Sequence, residues 1–239
     1  MRRRFSYADQ KNQQYRSRWK ILVLLIFFFF YISFTSLFFS MRVMENSTMA
    51  ENLQAGERFV FSSYNVYSLL PGTSQERGTL PFRRGNVVLV DMFREKQPGV
   101  LYLVLDGVIR FFTFQRFGLI DQEGHVFVKR VIGLPGDEIT MTNFVIRVKT
   151  KGSVYYLTEF EVTETDYTPA IPHMPALWDA TLPCSGNLDM IILGENECFV
   201  LSDDRSNTND SRTWGPVPVK NISGKALFRY WPVTRIGRM

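Results

Sequence analysis

The chain has 239 residues, 45% of them hydrophobic, which suits one domain of ordinary size with appendages and excludes a disordered protein. Its formal charge of +5 is concentrated at one end: Arg2, Arg3, Arg4, Lys11, Arg16, Arg18 and Lys20 against Asp9 give +6 within the first twenty residues and leave −1 for the rest. A nucleic-acid reader needs a basic face on its folded part, so that class is set aside.

Residues 1–20 read as a basic cytoplasmic tail and 21–39 as a transmembrane helix. From Ile21 to Phe39 there are nineteen residues without a charge, seven of them phenylalanine. That length crosses a bilayer as one helix and exceeds the apolar core of a cleavable signal peptide. Seven basic residues precede the span and only Arg42 follows closely. The positive-inside bias then leaves the N-terminus in the cytoplasm and residues 40–239 outside it.

After the span, Gly56 and Glu57 lead into the apolar run Phe59-Val60-Phe61, a turn feeding a strand. Arg84-Gly85-Asn86 enters a second run, Val87 to Val90, expected as a buried strand. Val108 to Ile120 carries Phe111, Phe112, Phe114 and Phe117, expected in the core rather than on an apolar rim near the bilayer. Phe144 to Val148 and Val154 to Leu157 are strand-like, and Pro169, Pro172, Pro175 and Pro183 break the next stretch into irregular loop. No helical periodicity is expected after residue 40, so the folded part is predicted to be mainly β. Cys184 and Cys198 are the only cysteines, and an extracytoplasmic position allows them to pair; the alternative is two unpaired small hydrophobes.

Val126 to Ile132 alternates with period two, placing Phe127, Lys129 and Val131 on one face and Val128, Arg130 and Ile132 on the other. Gly133-Leu134-Pro135-Gly136-Asp137 then stops the strand in a turn. A lysine buried on such a strand loses its charge more easily and becomes a general base, whereas arginine cannot. The competing reading is an edge-strand lysine whose ammonium reaches solvent. Only His125 and His173 are present, neither in a triad motif, and there is no H-E-x-x-H segment or phosphate-binding glycine loop. No metal and no cofactor are expected, and a lysine base is the remaining route to an activated hydroxyl.

Val128-Lys129-Arg130-Val131-Ile132-Gly133-Leu134-Pro135-Gly136-Asp137 resembles the lysine box of bacterial type I signal peptidases, the membrane-anchored Ser/Lys proteases. Ser202 to Pro218, Ser-Asp-Asp-Arg-Ser-Asn-Thr-Asn-Asp-Ser-Arg-Thr-Trp-Gly-Pro-Val-Pro, resembles their later box G-D-N-R-D-N-S-x-D-S-R-x-x-G-x-V-P. The resemblance runs over roughly residues 40 to 232. It implies a signal-peptidase-like β-sheet catalytic domain with a variable β-rich insertion at about 138–197. It further implies exported preproteins as substrates, in the cytoplasmic membrane of a bacterium, with a hydroxyl/lysine dyad as the chemistry.

Residue by residue, the resemblance makes Lys129 the general base and, counting back from Gly56 into the family's S-x-S-M-x-P-T-L box, Thr48 the nucleophile, with Ser47 the alternative. Asn46 falls at the side-chain donor of the oxyanion hole, and Thr208 at the hydroxyl that orients the lysine. Asp210 and Arg212 fall at a charged pair propping the site, for which a surface ion pair is the bland alternative, and Asp203 and Arg205 at residues holding the loop. The nucleophile box departs most, with Glu51 and Asn52 for proline and threonine and a threonine as nucleophile. That departure leaves a second reading: a non-catalytic paralogue that binds but does not cleave.

Overall fold

A computed structural model describes residues 7–44, 49, 53–63, 80–92, 99–113, 118–119, 126–172 and 186–239. The chain divides into two compact units, Met1–Leu37 with Pro98–Asp121, and Phe38–Gln97 with Gln122–Met239.

The first unit holds two helices. Helix α1, Tyr7–Phe38, contains Gln14–Thr35, a stretch long and apolar enough to cross a membrane and exposed along nearly all its length. Helix α2, Val100–Phe112, corrects the expectation of no helix after residue 40. Its polar residues Tyr102, Asp106 and Arg110 recur every four residues, a helical period present in the sequence. Asp106 and Arg110, one turn apart, pair at 2.7 Å, and Asp106 also accepts from the amide of Leu119. Phe112 is 67% exposed and so is not core; the side chain of Phe111 and residues Phe114 and Phe117 lie outside the described residues.

The second unit is mainly β, as expected. In chain order its strands are β1 (Phe39–Val43), β2 (Arg58–Ser63), β3 (Val87–Asp91), β4 (Val126–Gly133), β5 (Glu138–Thr142), β6 (Val145–Lys149), β7 (Leu157–Thr158), β8 (Leu188–Ile192), β9 (Glu197–Leu201), β10 (Val217–Pro218), β11 (Ile222–Trp231) and β12 (Gly237–Arg238). One antiparallel sheet has the order β1-β2-β11-β3-β4-β9-β10, with β12 on β11; a second has the order β7-β6-β5-β8. The second sheet is built from residues between 138 and 192, within the stretch assigned to a β-rich insertion. Short helices α3 (Glu159–Val162) and α4 (Ser211–Trp214) complete the unit. Val154 and Tyr155 are exposed in a bend and Tyr156 in irregular chain rather than strand, with only Leu157 entering β7.

Alternation along β3 divides the core. Val87 and Leu89 join Met44, Met49, Phe59 and Phe61 on one face, while Val88 and Val90 join Val131, Cys198, Val200 and Ile222 on the other. Cys198 is a free thiol buried in the second cluster, donating to the carbonyl of Val217 at 3.2 Å. Packing between β9 and β10 turns the sulfur into the core, as in the alternative of an unpaired small hydrophobe, and Cys184 lies outside the described residues.

The turn after β4 explains Gly-Leu-Pro-Gly-Asp. A Cβ on Gly133 would sit 2.3 Å from Ile139 Cδ1, and Gly136 has φ +83°. Asp137 caps the turn through the amide of Leu134 and takes the guanidinium of Arg84 at 2.8–3.1 Å, tying the entry of β3 to the exit of β4.

Candidate active site

Strands β3, β4 and β9 position the lysine. Lys129 lies opposite Val88 on β3, and β4 and β9 pair Arg130 with Leu201 and Val131 with Val200. Its side chain is 1% exposed, with Nζ 5.9 Å from the ring centre of Phe127 and 5.7 Å from that of Trp214. These surroundings strip water from the ammonium and lower the pKa of Lys129 to about 8; Asp210 and Asp203 pull it up and Arg212 pushes it down. The edge-strand alternative fails on burial. At pH 7 roughly a tenth of the molecules carry the neutral amine that a base requires.

The hydroxyl partner of that amine is one that the sequence reading missed. Nζ donates to Ser202 Oγ at 2.7 Å, both groups being buried. Thr208 makes no hydrogen bond to the lysine; its carbonyl accepts from Asp210 N at 2.8 Å and from Thr213 Oγ1 at 2.6 Å, within the loop. Ser202 faces Lys129 through the register of β4 on β9, which no spacing within one strand reveals.

Each of the four charged side chains singled out in the later box is buried and paired. Arg130, on the face opposite Lys129, reaches Asp203 through two bonds of 2.7 and 2.5 Å and lies 4.0 Å from the ring centre of Tyr167. Arg205 pairs at 2.5 Å with Glu159 of α3, which also accepts from the hydroxyl of Tyr167. Burial and the neighbouring Glu159 carboxylate drive the Tyr167 pKa upward, so the phenol stays protonated. Asp210 and Arg212 pair at 2.8 Å with neither side chain more than 1% exposed, which excludes a surface ion pair. Asp210 also caps α4 and accepts from the amide of Ser202 at 3.0 Å, while Arg212 donates to the carbonyls of Arg205 and Asn207. Glu159 and Tyr167 come from the stretch with no recognisable motif, and nothing in their spacing marked them.

Asn46, Ser47 and Thr48 lie outside the described residues, as do His125 and His173. Met49, the residue after Thr48, is fully buried, and its sulfur accepts from the amide of Asp203 at 3.3 Å. The methionine of the proposed nucleophile box thus touches the residue that follows the lysine's partner.

The family profile described as "Signal peptidase, peptidase S26" matches residues 16–231. The chain belongs to this peptidase family. "Signal peptidase I" of Bacillus caldolyticus is 31% identical over 180 residues, covering 73% of this chain and 81% of that one. "Signal peptidase I" of Streptococcus pneumoniae (strain R6) is 29% identical over 153 residues, 54% of this chain and 74% of that one. "Probable signal peptidase I-1" of Synechocystis sp. is 33% identical over 116 residues, 48% of each chain. The chain spans about half the length of the Synechocystis relatives that it matches. Within this peptidase S26 chain, the family match includes both Lys129 and the loop of Ser202 to Trp214.

Proposed function

We propose that the chain is a signal peptidase I, a membrane-bound endopeptidase that removes N-terminal signal peptides from exported preproteins. One observation carries the reading: a buried lysine, with its pKa lowered to about 8, held against a hydroxyl in a member of a peptidase family. A binding module has no chemical use for such a lysine. In the proposed reaction Thr48 Oγ1 attacks the scissile carbonyl as the neutral Nζ of Lys129 takes its proton. The ammonium then protonates the leaving amine, and water enters by the same base to hydrolyse the acyl-enzyme. The side-chain amide of Asn46 is the proposed donor to the oxyanion. The contact of Met49 with Asp203 supports Thr48 over Ser47, because it anchors the residue next to Thr48 against the lysine's loop.

Residues 1–20, 21–39 and 40–239 are proposed as cytoplasmic tail, membrane span and extracytoplasmic part. The apolar run in α1 and the basic residues before it support this single-pass topology in the bacterial cytoplasmic membrane.

The test is rescue of a strain depleted of its own signal peptidase, with purified chain acting on a model preprotein. The unmutated chain is expected to support growth and cut at the signal-peptide junction. Thr48→Ala abolishes both, and Thr48→Ser retains or raises them, since serine supplies the same oxygen without the β-methyl. Failure of the unmutated chain in both assays, with gain only in Thr48→Ser, identifies a disabled paralogue.

A further inference from the structure

We infer that Ser202, and not Thr208, is the positioning hydroxyl that aims the amine of Lys129; the inference rests on the protease reading above. The register dictates it. Arg130 faces Leu201 and Val131 faces Val200 across an antiparallel pair, so one further step sets Lys129 directly opposite Ser202. Directly opposed residues project to the same face with their Cβ atoms roughly 5 Å apart, within the reach of a lysine and a serine. The 2.7 Å bond between Nζ and Ser202 Oγ is the result.

The loop holds Ser202 in place from its other side. Its amide is bonded to Asp210 Oδ2, Asp210 is clamped by Arg212, and Ser211 Oγ accepts from the amide of Val200 two residues before Ser202. Oγ of Ser202 therefore presents an acceptor at a set point. A neutral amine has two N–H groups and one lone pair. With one N–H committed to Ser202, the lone pair keeps far fewer directions, which raises the fraction of lysines aimed at the attacking hydroxyl.

In the related box G-D-N-R-D-N-S, the first position is a glycine, which has no side chain to do this, and the seventh is the serine. Here the first position is Ser202 and the seventh is Thr208. The two departures are complementary: a hydroxyl has arrived directly across from the lysine, and the one six residues on is left to its loop.

The experiment compares Ser202→Ala, Ser202→Thr and Thr208→Ala in the full-length chain, folded state being checked by circular dichroism. Ser202→Ala is expected to lower kcat by about tenfold to a hundredfold with KM little changed. It is also expected to move the acid-side inflection of the pH profile downward, because the hydroxyl that accepts from the ammonium, and so favours the charged form, is gone. Ser202→Thr, which keeps the oxygen, recovers most of the rate, and Thr208→Ala costs less than Ser202→Ala. A larger loss in Thr208→Ala than in Ser202→Ala, or a kcat loss in Ser202→Ala with an unmoved inflection, overturns the inference. Titration of the Lys129 amine by NMR in labelled protein needs no turnover. If the unmutated chain does not cleave, the proposed function falls, while a Lys129 pKa that drops in Ser202→Ala upholds the link and one that stays put overturns it. Should Ser202→Ala not fold, Ser202→Thr and Ser202→Gly carry the same comparison.

Discussion

The junction of β4 with β9 and the four-stranded sheet of β5 to β8 are both antiparallel and both pack on apolar cores, yet they treat charge in opposite ways. At the junction Lys129, Arg130, Asp203, Arg205 and Asp210 are all almost fully buried. In the smaller sheet Lys149 and Glu138 meet at 2.9 Å with more than a quarter of each side chain exposed, and the flanking Val154 is 80% exposed. Buried ion pairs are a poor way to stabilise a protein, since desolvation offsets most of their attraction. Their concentration around one lysine marks the place where geometry matters more than stability. In the smaller sheet, charge serves the solvated face alone.

Perturbing the junction should therefore cost far more than perturbing the smaller sheet. The largest effect is expected from Lys129→Arg, which keeps the charge and loses the base: preprotein cleavage falls by about a thousandfold or more, equivalent to about 4 kcal/mol in the barrier. In the unmutated chain kcat/KM rises with pH through about 8, since only the neutral amine accepts a proton. A flat profile across that range, or appreciable activity in Lys129→Arg, would remove the lysine from the chemistry.

Next comes Asp203→Ala, which leaves Arg130 buried without its carboxylate and is expected to lower unfolding free energy by about 3–5 kcal/mol in denaturant titration. Lys129→Met should act in the opposite direction. The folded lysine has its pKa lowered from 10.5 to about 8, so carrying its charge costs about 3 kcal/mol below pH 8, and the cost disappears as pH rises from 8 to 10.5. After loss of the bond to Ser202, a gain of about 1–3 kcal/mol at pH 7 is expected, shrinking above pH 8. An inactive variant no more stable than its parent would show that the lysine pays nothing for its burial. The smallest effect is expected for Glu138→Gln in the outer sheet, where the thermal midpoint stays with that of the parent.

Much of this contrast was legible before any coordinates. A continuous apolar run behind a glycine located β3, period-two alternation located β4, and the turn chemistry of Gly133 to Asp137 marked where β4 ends. The lysine stood out because burial and basicity conflict on one strand. Ser202 did not, because its relation to Lys129 exists only across a strand pair, and single-chain spacing is blind to register. Glu159 and Tyr167 were hidden for the same reason, being joined to Arg205 and Arg130 only through the fold. Helix α2 was missed although Tyr102, Asp106 and Arg110 recur every four residues in its apolar run, a helical period that the cluster of phenylalanines drew attention away from. The smaller sheet was anticipated as β-rich, but its strand edges slipped: Phe144 belongs to the turn, with φ +64°, and β6 starts one residue later.

The free thiol of Cys198 gives the β-rich unit an internal clock. Burial pushes its pKa up to about 12, and the reactive species is the thiolate, so an alkylating reagent finds almost nothing to attack while β10 covers β9. Modification then waits for the strands to separate. Its rate at low reagent, resolved from that of Cys184 by peptide mass, counts openings of the strand that leads directly into Ser202, and a bound inhibitor that slows the count reports engagement of the site without any cleavage being measured.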